Sequence, residues 1–151
     1  MIFYRFLSPE QLEGTFEQAK PYLPDSLRNL KEFIALYLSK DSMFFEVGDY
    51  LGAFWLTRIV PGWKADVHIT LWDDKARDQH IAAKAFLKEL MFKLKLRRIN
   101  AYIPQHLEPA LKYALRLGFH QEGVIHYGDY YDGDLRDVYM LGLYEEDLNG
   151  I

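Results

Sequence analysis

Cysteine is absent from this 151-residue chain, which excludes disulfide staples, thiolate metal sites and cysteine nucleophiles. Packing alone must hold the fold. No apolar run is long enough to cross a bilayer, and Arg5, Glu10 and Glu13 interrupt the N-terminal segment. Neither a membrane span nor a signal peptide is therefore expected, and a soluble cytoplasmic protein is the default. Positive charge is not in excess either: 18 Lys and Arg stand against 22 Asp and Glu. That balance argues against a general nucleic-acid binder, which needs clustered cations to displace counterions from phosphates. Repeats, low-complexity tracts and linkers are missing too, so one domain over residues 1–151 is expected. What the chain has is core material, with 50% hydrophobic and 16% aromatic residues.

The residue pattern predicts a definite order of elements. Met1 to Leu7 suits a first strand. Ser8-Pro9-Glu10-Gln11 reads as a helix start, with Ser8 as cap and Gln11 closing a capping box. A helix of about Pro9 to Lys20 follows, and a second runs from about Asp25 to Leu38 with Leu27, Leu30, Phe33, Ile34, Tyr37 and Leu38 on its buried side. Met43 to Val47 and Tyr50 to Val60 form a hairpin through Gly48-Asp49, and Pro61-Gly62 leads into a strand from Trp63 to Trp72. A helix from about Ala76 to Leu96 carries an apolar stripe of Ile81, Ala85, Leu87, Leu90, Met91 and Leu94. Then come a strand over Arg98 to Ile103, a helix over Leu107 to Leu117 capped by Gly118, and strands Phe119 to Tyr127 and Leu135 to Leu143 around a loop from Gly128 to Asp134.

Two places in this order have chemical potential. Alternation along Trp63 to Trp72 puts Asp66, His68, Thr70 and Trp72 on one face and Ala65, Val67, Ile69 and Leu71 on the other. A carboxylate and an imidazole two residues apart suit proton acceptance, directly or through water, and equally suit an ordinary polar strand face. The start of the following helix offers free backbone amides, which bind phosphate, although a strand leading into a helix is common and its lysine side also reads as a solvated face. The acidic loop with Asp129, Asp132 and Asp134 lacks the twelve-residue spacing of a calcium loop, so no metal is expected there.

Taken together, Arg77-Asp78-Gln79-His80-Ile81-Ala82, Ala110, Leu117-Gly118-Phe119, Glu122-Gly123, Gly133 and Asp137 resemble the motifs of the GNAT N-acetyltransferase superfamily. The resemblance implies an α/β fold with a mixed, mostly antiparallel central sheet flanked by helices. It implies acetyl-CoA as co-substrate, its diphosphate held by backbone amides of Arg77, Asp78, Gln79, His80, Ile81 and Ala82, and its pantetheine arm beside Leu71 and Trp72. It also puts Asp66 and His68 where relatives carry the general base. The implied reaction is direct attack of a primary amine, on a small molecule or a protein, on the thioester, with no covalent enzyme intermediate. A homodimer is among the assemblies such a domain allows. Three positions depart from the pattern: His80 replaces a glycine, Ala114 a tyrosine that protonates the leaving thiolate, and Leu107 an asparagine. Those departures keep open an alternative, a catalytically silent acyl-CoA-binding or protein-interaction module on the same fold.

Overall fold

The computed structural model describes residues 4–148. Met1 to Phe3, expected to open the first strand, lie outside them. In chain order the elements are β1 (Tyr4–Phe6), α1 (Leu12–Ala19), α2 (Leu30–Leu38), β2 (Met43–Val47), β3 (Gly52–Val60), β4 (Lys64–Leu71), α3 (Asp74–Arg77), α4 (His80–Leu94), β5 (Arg98–Pro104), α5 (Glu108–Arg116), β6 (His120–Tyr131) and β7 (Asp134–Tyr144). The strands form one seven-stranded sheet in the order β1-β2-β3-β4-β5-β7-β6. Neighbours run antiparallel except β4 and β5, so the expected mixed, mostly antiparallel sheet flanked by helices is what forms. Among the described residues no helix is long and apolar enough to cross a membrane.

Alternation on the strands builds two cores, one on each face of the sheet. On one face Phe54 and Leu56 of β3, Ala65 and Val67 of β4, and Ile99 and Ala101 of β5 pack against Leu87, Leu90 and Met91 of α4. On the other, Phe44, Ala53 and Trp55 pack against Phe16 of α1 and Phe33 of α2. Phe33 meets Trp55 edge-on at 5.7 Å, and Phe44 stacks on Trp55 at 5.3 Å. Full burial of each such side chain contributes about 1.5–3 kcal/mol. This second core underlies only the β1–β4 half of the sheet. Among the described residues the same face carries no helix across β5, β7 and β6, and Tyr102 and Ile125 are part-exposed there.

Local chemistry explains where the elements depart from expectation. The Gln11 side chain accepts from the Ser8 amide at 3.0 Å as foreseen. However, α2 starts at Leu30, five residues later than predicted, because Asn29 is the cap that accepts from Lys31 N at 2.8 Å. In that helix Phe33 is fully buried, whereas Leu38 is 72% exposed. The long helix predicted from Ala76 is two pieces: α3 ends at Arg77, Asp78 and Gln79 leave helical geometry, and α4 begins at His80. Its buried stripe is Ala83, Leu87, Leu90 and Met91, spaced as one helix face, and Ile81, expected inside, points outward. The loop expected over Gly128 to Asp134 is mostly strand. β6 and β7 run on to a two-residue turn at Asp132-Gly133, both with positive φ (54° and 80°), the Asp-Gly geometry that matches strand twist in a tight hairpin.

Candidate active site

A break in the sheet positions the site. β4 and β5 pair at only three positions, Lys64 with Arg98, Ala65 with Ile99 and Asp66 with Asn100. Beyond them β4 continues to Leu71 paired only with β3, and β5 continues to Pro104 paired only with β7. Such a split leaves the main-chain donors and acceptors of Val67–Thr70 that face β5 open to a ligand lying between the strands, because a strand edge needs partners. α4 begins beside the wide end. Its first three amides, on His80, Ile81 and Ala82, find no backbone acceptor among the described residues, while Ala83 N donates to Gln79 O at 3.0 Å. Three orphan N–H groups at the start of a fifteen-residue helix carry the positive end of its dipole and suit an anion such as phosphate.

The two expected proton acceptors differ sharply in environment. Asp66 is buried at the narrow end of the split, and both its oxygens are engaged. Arg58 Nε donates to Oδ2 at 2.6 Å with Arg58 Nη2 alongside, and Asn100 Nδ2 donates to Oδ1 at 3.0 Å. Asp66 thus ties β3, β4 and β5 together at the last paired residue. His68 is half-buried and stacks on Trp55, ring centroids 5.6 Å apart with planes 14° off parallel. Burial pushes its pKa from 6.5 down to about 4, the charge on Asp66 working against that shift and the charge on Arg58 with it. The imidazole is therefore neutral, with a free lone pair, throughout the physiological range.

The residues expected at the cofactor do not all gather. Leu71 packs on the α4 side of the sheet. Trp72 turns to the opposite core, where its indole donates to Tyr50 O at 2.9 Å and meets the Tyr50 ring edge-on at 4.9 Å. Arg77 folds back, Nε donating to Leu71 O at 3.1 Å and Nη1 to Asp74 at 2.8 Å. Asp78 and Gln79 form the break that frees the amides of α4. His80 stands at the first helical position, and its Nδ1 is buried without a protein partner. Ala114 faces the core, as its small side chain allows.

Three further groups at the site, Arg58, Asn100 and Tyr113, carry no local sequence signal. Arg58 lies at a β-bulge of β3 with φ at 49°, and only the register that pairs Thr57 with Asp66 reveals it as a partner. Asn100 becomes visible once β5 is laid parallel to β4, and it also accepts from Arg98 Nε at 2.7 Å. Tyr113 of α5, next to Ala114, packs against the same core as Ile69 and Leu71. Burial pushes its pKa up to about 12, so its phenol remains a proton donor at neutral pH.

No family model matches the chain, and no curated protein does. Solved structures do. The chain is similar to the spermidine N-acetyltransferase of Vibrio cholerae solved with CoA and spermine, at 16% identity over 97% of both chains with a TM-score of 0.79. It is also similar to RimJ of Mycobacterium smegmatis solved with CoA-disulfide, at 14% identity over 98% of this chain and 84% of that one, TM-score 0.79. At such identity the likeness speaks for architecture, and at that level the resemblance read from the motifs is borne out: this chain has the GNAT fold.

Proposed function

We propose that the protein is an N-acyltransferase that moves the acetyl group of acetyl-CoA to a primary amine. The observation that carries this reading is the conjunction of a sheet split open after Asp66 and Asn100 with three unpartnered amides at the start of α4. A diphosphate suits the amides of His80, Ile81 and Ala82, and an extended amide-bearing arm suits the unpaired edge of Val67–Thr70. His80 fits as well as the glycine it replaces if its unpartnered Nδ1 completes the anion site. When bound, acetyl-CoA supplies an activated acyl carbonyl. The chain's own groups do the rest.

In this reading His68, not Asp66, takes the proton. Asp66 would first have to release Arg58, whereas His68 offers a free lone pair. An imidazole with a pKa of about 4 is too weak a base to strip a free alkylammonium, whose pKa is about 10 by analogy with lysine. The amine therefore reacts from its neutral fraction. Once the C–N bond forms, the nitrogen becomes far more acidic, and His68 accepts its proton directly or through a water. Asp66 acts as a positioning group that holds Arg58 and closes the narrow end of the split. Tyr113, still protonated, donates to the departing thiolate.

The test combines binding and turnover. CoA should raise the melting temperature of the protein, as any ligand selective for the folded state does. Thiol release from acetyl-CoA should require an amine and fall about a hundredfold or more in His68→Ala. CoA binding with no turnover on a broad amine panel would favour the silent module, which the buried Ala114 also fits. No binding at all would remove both readings.

A further inference from the structure

The two halves of the split sheet are joined a second time, at the wide end. Asp25 and Arg28 lie in the connection between α1 and α2, and Leu23 and Leu27 root that connection in the core of the β1–β4 half. From there Arg28 pairs with the carboxylate of Asp132, and the Asp25 carboxylate accepts from the amides of Asp132 and Gly133 at 2.8 Å each. Asp132 and Gly133 form the β6–β7 turn, on the other half. Arg28 is itself held in place, Nε donating to Leu23 O at 2.7 Å and Nη2 to Pro21 O at 3.1 Å, with its side chain only 18% exposed.

The turn overhangs the opening. β5 ends at Pro104, opposite Val138, so residues 134–137 of β7 and the turn itself extend past it. Tyr131 is buried and meets His106 edge-on at 5.4 Å, which seats the overhang on the loop that follows β5. The left-handed backbone at Asp132 and Gly133 turns two successive amides toward one carboxylate, a concave arrangement that holds an anion well. A clasp between the α1–α2 connection and this turn must therefore bridge the wide end of the split on the face that carries α1 and α2.

We propose that Asp25 and Arg28 form a size gate for the amine acceptor, an inference that rests on the acyltransferase reading above. With the gate shut, a slender unbranched amine passes beside it to reach His68. A bulky amine, or a lysine on a folded protein, is held out. The clasp also uses the carboxylates of Asp25 and Asp132 internally, so they are not available to attract a cationic acceptor from solution.

The experiment measures the gate in two ways on the full chain and on Asp25→Asn and Arg28→Met. Hydrogen exchange at the amides of Asp132 and Gly133 should be slow in the parent and at least tenfold faster in both variants. The preference in kcat/KM for a linear diamine over a phenylalkyl amine and over a folded lysine-rich protein should drop at least tenfold in the same variants. Faster exchange with an unchanged preference would overturn the gate. Unchanged exchange would overturn the clasp itself. Absence of turnover on every amine in the parent would overturn the function and the gate together, a result distinct from either of these.

Discussion

Acidification should weaken this protein through one side chain. His68 is held neutral by burial, with its pKa at about 4 against 6.5 for a free imidazole. A difference of that size corresponds to about 3 kcal/mol, at about 1.4 kcal/mol for each tenfold change in proton affinity. Because the folded value lies below the unfolded one, the unfolded chain binds the extra proton between pH 6.5 and about 4. The contribution is therefore complete above pH 6.5 and is lost as pH falls through that window. Urea unfolding of the parent and of His68→Gln at pH 7, 5.5 and 4.5 isolates it, since the parent should lose stability relative to the variant as pH drops. Arg58→Met gives an internal check: it removes the cation that favours neutral His68 and leaves Asp66 to favour the charged form, so the imidazole should titrate higher when followed by NMR. The same shift places the acid limb of kcat/KM attributable to His68 near 4. An imidazole that titrates near 6.5, or a His68→Gln variant that loses stability in acid as steeply as the parent, would refute the reasoning.

Two further outcomes follow from other contacts. Tyr113→Phe should lower kcat about tenfold while leaving stabilisation by CoA unchanged, a modest loss because a thiol with a pKa of about 8.5 is a tolerable leaving group; unaltered kcat would remove Tyr113 from the reaction. Gly128→Ala should destabilise the β6–β7 hairpin by about 1–3 kcal/mol, since a Cβ there would sit 2.8 Å from Val138 Cγ2. Urea unfolding measures that loss, and adding Val138→Ala should recover part of it.

Much of this architecture was legible because the period of the hydrophobic pattern names the buried face. Ala65 and Val67 against Asp66 and His68 gave both the strand and its two sides, and the position of α5 before Gly118 followed from its stripe and cap. What was hidden depends on the relation between segments. That Asp66 is bound to Arg58 and Asn100 comes from a bulge in β3 and from the parallel register of β5, neither of which a local pattern encodes. The break at Asp78 and Gln79 escaped notice because every residue from Asp74 to Leu94 tolerates a helix. The tight turn at Asp132-Gly133 was masked by polar neighbours that made the whole stretch look like loop, though Asp-Gly was itself the signal. The resemblance put Trp72 beside Leu71 at the pantetheine arm, whereas the alternation that separates Asp66, His68, Thr70 and Trp72 from Leu71 already sends the two side chains to opposite faces.

The brief parallel contact between β4 and β5 also bears on how the chain assembles. Strands β1 to β4 are joined by antiparallel pairings, and β2, β3 and β4 are close neighbours in sequence, which keeps their loop closures short. The Asp66–Asn100 contact closes a separation of 34 residues for a reward of three facing positions. Docking of the β5–β7–β6 portion onto a preformed β2–β4 meander is thus the slow step expected on refolding, and substitutions at Asn100 should retard it more than substitutions within the meander.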